Sequence, residues 1–219
     1  MHRRAMSERI YTSAIKRLAG IPEIFTGGDL TVLFGWTSAI CSSYLAGWRK
    51  AGLIKSLGGR SDVHMNLVLN RDANSEAALR RAFPCAMKVG VDLLREAGWT
   101  TQIPTLIEVA ILRSHSLYDI ADFAITTRTR TWFQRVLPGT QKVSSGIDRL
   151  QPAWALADMI ARAQDRRVRG TFLLDPEDLD LQSVRRDQAA APALQAFGLT
   201  GDWLDDAGYK RLYDKFKAR

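Results

Sequence analysis

Residues 37–69 read TSAICSSYLAGWRKAGLIKSLGGRSDVHMNLVL, and three signals inside them decide the fold. Thr37 stands ahead of a run in which Cys41, Tyr44, Leu45 and Trp48 recur at helical spacing. A helix therefore starts at Thr37, packs through that stripe and stops at Gly52. Leu53–Leu57 and Val63–Leu69 then read as two strands, with Gly58-Gly59-Arg60-Ser61-Asp62 as a hairpin tip that exposes an arginine. Upstream, Thr26-Gly27-Gly28-Asp29 caps a short helix carrying Leu30, Leu33 and Phe34, which Gly35 ends. Before that, Ser7 to Leu18 sets Ile10, Ala14, Ile15 and Leu18 on one helix face with Ser7 as its cap, and Ala19-Gly20-Ile21-Pro22 stops it.

Three short helices followed by a basic-tipped hairpin is the layout of a winged helix-turn-helix, whose last helix, here about 37–51, lies in the major groove of DNA. Tyr44, Leu45 and Trp48 are its core anchors. The opposite face offers Thr37, Ser38, Ser42, Ser43 and Arg49, short donors and a guanidinium suited to base edges and phosphates. Lys55 and Arg60 on the wing, and the Arg3-Arg4 arm, are placed to hold flanking phosphates. The same layout also serves winged folds that bind proteins, and a solvated helix shows the same serines. His64 lies in a strand and reads as structural rather than as a ligand.

Charge separates this segment from the rest. The 219-residue chain carries 31 Lys and Arg against 23 Asp and Glu, a net charge of +8. Residues 1–72 hold ten basic and five acidic side chains, a net +5, which leaves +3 for residues 73–219. An excess of this kind favours a polyanionic partner. The polar, turn-like Asn70-Arg71-Asp72-Ala73-Asn74-Ser75 marks the boundary, giving a domain of 1–72 and a second of 73–219. Apolar residues make up 46% and charged residues 25%, ordinary for a globular chain. Apolar runs fall well short of the roughly 18 residues a membrane span needs, and no signal-peptide core follows the basic start. Cys41 and Cys85 have no Cys or His at metal-ligand spacing, which fits a reduced cytoplasmic setting.

The second segment mixes helix and strand. Helices are expected over 75–82, over 85–97 with Val89, Leu93 and Leu94 inward, near 131–137, over 152–163 and at the C-terminus. Leu106–Leu112 and Asp122–Thr127 are rich in β-branched residues and read as strands. Asp175-Pro176-Glu177-Asp178 begins another helix, with acids near its positive end. The fold class is α+β: an N-terminal winged helix-turn-helix followed by a mixed α/β C-terminal domain.

Catalytic patterns are missing from the sequence. There is no phosphate-binding G-x-x-x-x-G-K-[ST] loop, no G-x-S-x-G elbow and no H-E-x-x-H pair. A nuclease of the restriction type needs an acid-x-Lys beside its metal, and neither Glu-x-Lys nor Asp-x-Lys occurs. Glu108, Asp119 and Asp122 would have to converge through folding to hold a metal, and the rival readings are such a nuclease or a protein-binding adaptor. Ser114-His115-Ser116 is a polar turn rather than a triad. No catalytic residue, cofactor or metal is assigned. Within Thr126–Trp132, Arg128, Arg130 and Trp132 are candidates for contact with a partner, because guanidinium groups beside an aromatic ring suit phosphate or an acidic protein.

Ala77-Ala78-Leu79-Arg80-Arg81-Ala82-Phe83-Pro84 and Val91-Asp92-Leu93-Leu94-Arg95-Glu96-Ala97-Gly98-Trp99-Thr100-Thr101-Gln102-Ile103-Pro104 follow the winged segment, and Gly146-Ile147-Asp148-Arg149-Leu150 leads into Pro152, Trp154-Ala155-Leu156-Ala157-Asp158-Met159. In order and spacing these resemble the AbiEi family of antitoxins over about residues 20–180. Members carry a helix reading roughly ALxxxGLTxQxP directly after the DNA-binding domain, where this chain has Trp99 in place of Leu, and later a helix like pewALaDml. The resemblance implies a transcriptional autoregulator of a type IV toxin–antitoxin pair. Such a protein binds a promoter inverted repeat in double-stranded DNA through its winged domain, counters a nucleotidyltransferase toxin and has no catalytic residues of its own.

Overall fold

The computed structural model describes residues 13–112, 119–165 and 172–218. The fold is mixed α+β with two sheets, one of three strands and one of five. It divides into two compact units, the division falling after Pro84, with Ile120 belonging to the first.

In the first unit, helix α1 covers residues 13–18 of the described chain, followed by β1 (Ile24–Thr26), α2 (Gly27–Phe34), α3 (Ser38–Lys50), β2 (Ile54–Ser56), β3 (Val63–Asn66) and α4 (Ser75–Ala82). The N-terminus of α2 is closed reciprocally: the Asp29 N–H donates to Thr26 Oγ1 at 3.1 Å, and the Thr26 N–H donates to Asp29 Oδ2 at 2.7 Å. Gly35 ends α2 at φ 66°, a left-handed position that a side chain disfavours. The chain then bends by 115° and enters α3, whose buried stripe is Cys41, Leu45 and Trp48. Strand β3 is central in an antiparallel sheet of order β1-β3-β2, with Ile24 opposite Met65 and Ile54 opposite Asn66.

Within the described residues the expected helices and hairpin of this region are present, with two differences; Ser7 and Ile10 of the first expected helix lie outside those residues. Strand β1 is three residues between Pro22 and a Gly-Gly pair, too short to show a period, and it exists through its pairing with β3. Strand β3 ends at Asn66 instead of running to Leu69, because the Asn66 side chain turns the chain there. The Asn66 amide is fully buried and donates to the carbonyls of Leu18 at 2.7 Å and Ile21 at 3.2 Å, while its oxygen accepts the Val68 N–H at 3.2 Å.

Helix α4 is capped by Asn74, whose side chain accepts the Ala77 N–H at 2.9 Å. Its buried residues Ala78 and Leu79 belong to a helix that packs on β1 and β3. The compact unit therefore closes at Pro84 and takes in a helix that the polar stretch at 70–75 had placed in the second domain.

The second unit holds β4 (Met87–Lys88), α5 (Val91–Glu96), β5 (Ile107–Leu112), β6 (Phe123–Arg128), α6 (Arg130–Val136), β7 (Thr140–Gln141), β8 (Asp148–Leu150) and α7 (Pro152–Gln164), followed by α8 (Leu181–Arg186), α9 (Ala190–Ala196) and α10 (Asp206–Lys217). Its sheet runs β6-β5-β4-β8-β7, with β5 and β6 parallel. The helix expected over 85–97 is shorter than its apolar spacing suggests. Gly90 sits at φ 83°, where a Cβ would stand 2.6 Å from the Glu108 side chain, so the residues before it form β4 and only 91–96 are helical. The α7 residues from Ala153 to Ile160 are all buried, which makes this helix the centre of the core.

Among those α7 residues is Asp158, whose carboxylate accepts the Trp132 indole N–H at 2.7 Å and pairs with the Arg128 guanidinium at 3.0 Å. Replacing Asp158 by Ala leaves that guanidinium buried without its counter-charge, and chemical denaturation is expected to show a loss of about 3–5 kcal/mol. Asn66→Leu strands the buried Ile21 carbonyl and the Val68 N–H and leaves the Leu18 carbonyl with the Ile21 N–H alone, and the expected loss by the same measurement is about 2–4 kcal/mol.

Candidate nucleic-acid interface

Helical geometry sorts the candidates on α3. With Cys41, Leu45 and Trp48 buried, the outward face runs along Ala39, Ser43, Ala46 and Lys50, flanked by Ser42. Ser38, Ser42, Ser43 and Arg49 are exposed as expected. Thr37 is exposed as well, but its hydroxyl oxygen caps α3 by accepting the Ile40 N–H at 3.4 Å. Lys50 was not singled out from the sequence, although its spacing of seven from Ser43 places it on the same face. Arg49 lies on the flank: its Nε donates to the Leu45 carbonyl at 3.4 Å, and its charge acts on His64 of β3.

The turn into α3 is held by aromatic stacking. Trp36 stacks on Phe34 at 4.5 Å and on Tyr44 at 4.3 Å, and the Arg17 guanidinium lies 5.0 Å from the Tyr44 ring centre. Tyr44, expected in the core, is half-buried in this stack.

The hairpin tip is a tight turn with Gly59 at φ 60° and Arg60 at φ 61°, closed by the Ser61 N–H donating to the Gly58 carbonyl at 2.9 Å. Two successive left-handed residues match the twist of a two-stranded ribbon. Gly59 is required there, since a Cβ would stand 2.7 Å from Ile120. The Arg60 side chain is exposed at the tip, and Lys55 is exposed on β2. Asp62 ties the base of the hairpin to α2 by accepting the Gly27 N–H at 2.9 Å, and it lies 3.6 Å from His64 Nε2. Arg3 and Arg4 lie outside the described residues, as does the Ser114-His115-Ser116 turn.

In the second unit the three residues proposed for partner contact separate. Trp132 is 7% exposed and Arg128 is engaged by Asp158, whereas Arg130 is exposed. Of the acids considered for a metal, Glu108 lies in β5 and Asp122 directly before β6, while Asp119 precedes Ile120 of the first unit. Burial pushes the Glu108 carboxyl up, with Arg162 and Arg128 opposing. Among the described residues, no three His, Cys, Asp or Glu side chains converge as metal ligands, and no single helix is long and apolar enough to cross a membrane.

No family model matches the chain, and no curated protein matches it. Among solved structures it is similar to the RV2827C protein from Mycobacterium tuberculosis, at 14% identity and a TM-score of 0.44, over 93% of this chain and 79% of that one.

His64 has a pH consequence. Its ring is 4% exposed, and burial lowers its pKa from the ordinary 6.5, with Asp62 raising it and Arg49 lowering it further. The unfolded chain therefore binds a proton at His64 more readily than the folded one. The stabilisation is present in full above about pH 6.5 and is lost as the pH falls through the lower folded-state value. Urea denaturation at about pH 7.5 and about pH 5.5 is expected to show lower stability in acid, and His64→Gln is expected to reduce that difference.

Proposed function

We propose that the chain is a sequence-specific DNA-binding transcriptional regulator and that its first unit is a winged helix-turn-helix. One observation carries the reading: α2 and α3 cross at 115° through the three-residue turn Gly35-Trp36-Thr37. Helix-turn-helix pairs cross at about 90–120° through such short, Gly-containing turns. The exposed, small-residue face of α3 allows close approach to base edges. Ser42 and Ser43 supply donors there, and Lys50, Lys55 and Arg60 supply charge for phosphates. The +5 carried by residues 1–72 supports the same partner.

The resemblance of residues 20–180 to AbiEi antitoxins extends the proposal. The chain acts in the cytoplasm as antitoxin and autoregulator, binding a promoter inverted repeat in double-stranded DNA. It counters a nucleotidyltransferase toxin and carries no catalytic residues of its own. In the second unit, Arg130 is the member of the proposed partner patch left exposed.

A mobility shift with the DNA upstream of its own coding sequence, competed by a random duplex, tests the regulator reading. Retention is expected to survive competition and to weaken steeply between about 50 mM and about 200 mM salt. Arg60→Ala and Lys50→Ala are each expected to lower the salt slope by about 0.9 where the side chain neutralises one phosphate. Ser42→Ala and Ser43→Ala are expected to change sequence preference instead. Absence of retention at about 50 mM salt overturns the regulator reading, and failure to rescue cells expressing the toxin overturns the antitoxin reading alone.

A further inference from the structure

The tip of the β2–β3 hairpin holds a conformation that its own sequence disfavours. Gly59 and Arg60 are the central residues of the turn between Gly58 and Ser61, at φ 60° and φ 61°. The second central position of such a turn ordinarily takes glycine, because a side chain strains a left-handed backbone. An arginine persists there where its surroundings hold it, and strain of that kind marks a side chain whose direction matters. The hairpin's own backbone supplies little of that hold. Beyond the ladder pair of Ser56 with His64, the Leu57 N–H donates to the Val63 carbonyl at 3.0 Å and the Ser61 N–H to the Gly58 carbonyl at 2.9 Å. Further support comes from Ile120. It is 3% exposed and belongs to the first unit, although it stands three residues ahead of β6. A Cβ at Gly59 would stand 2.7 Å from Ile120 Cγ1 and 3.1 Å from its Cδ1, and the Asp119 carbonyl lies 3.4 Å from the Cβ position of Gly58. Isoleucine is stiff at χ1, so the contact does not slide. The base of the hairpin is fixed separately, where Asp62 accepts the Gly27 N–H at 2.9 Å.

We infer that Ile120 is a positioning residue of the DNA interface: by packing on Gly59 it fixes the Gly58-Gly59-Arg60 tip so that the Arg60 guanidinium meets a backbone phosphate. The inference rests on the DNA-binding reading and adds to that site a residue far outside the basic segment of residues 1–72. An arginine on a fixed tip loses less freedom on binding than one on a loose hairpin, so Ile120 strengthens a contact that it does not itself make. The glycine at 59 then has two causes, the left-handed turn and the room it leaves for the isoleucine.

Fluorescence anisotropy of the full chain on the DNA upstream of its own coding sequence, at about 50 mM and about 200 mM salt, tests the assignment. Arg60→Ala is expected to lower the salt slope by about 0.9, which makes the loss of affinity across that range about 3.5-fold smaller. Ile120→Ala is expected to reproduce most of that reduction without removing a charge, and Ile120→Val, which keeps the branched contact, to restore the wild-type slope. The double variant Arg60→Ala/Ile120→Ala is expected to match Arg60→Ala, because both changes act on one contact. Gly59→Ala disturbs the same packing from the other side while Ile120 stays in place, so the test survives an Ile120→Ala chain that circular dichroism shows to be unfolded. A folded Ile120→Ala or Gly59→Ala chain with the wild-type slope overturns the inference and leaves the DNA-binding reading standing, and additive losses in the double variant do the same. Absence of retention by the wild-type chain at about 50 mM salt overturns both.

Discussion

The first unit depends on one buried side chain. The Asn66 amide reaches back 48 and 45 residues to the carbonyls of Leu18 and Ile21, and in doing so joins the end of α1 to the central strand of the sheet. Those carbonyls close a helix end in the apolar interior, where water cannot serve them. An apolar residue at 66 would leave the Ile21 carbonyl without its partner and the Leu18 carbonyl with the Ile21 N–H alone. The same residue's backbone N–H donates to the Glu23 carbonyl at 2.7 Å, which sets where the chain enters β1 and hence where α2 begins. The angle between α2 and α3 is built on that start, and the exposed face of α3 is built on the angle.

The second unit has a comparable centre in Asp158. A carboxylate 3% exposed is costly unless its oxygens are occupied, and here an indole N–H and a guanidinium occupy both. This accounts for why Arg128 and Trp132, which resemble a contact patch in the sequence, serve the interior instead. The pattern of two arginines around an aromatic ring is the same for a surface that meets a partner and for a network that holds a helix to a sheet. Only the position of Asp158, 26 to 30 residues further along, separates the two.

The candidate interface was legible in part. Ser42, Ser43, Lys55 and Arg60 lie where the sequence places them, because a helix face and a hairpin tip follow from local periodicity and turn chemistry. Thr37 had a double meaning, since a threonine at a helix start is equally a cap, and its oxygen is committed to the Ile40 N–H. Lys50 follows from the seven-residue spacing to Ser43, which sets both side chains on one helix face. Arg17 and the Asp62 link to Gly27 carried no signal, as each acts on residues far away in the chain.

By itself the sequence determined the elements whose causes act within a few residues. The Thr26–Asp29 cap, the stops at Gly35 and Gly52, the α3 stripe and the charge excess of residues 1–72 all belong here. Short-range hydrogen bonds and backbone preferences choose these conformations before any long-range contact forms. The tertiary structure decided the rest: the three-residue β1, the conversion of 87–88 to a strand at Gly90, and the close of the first unit at Pro84. Each depends on a partner many residues distant. A strand too short to show a period acquires its identity only from the strand beside it.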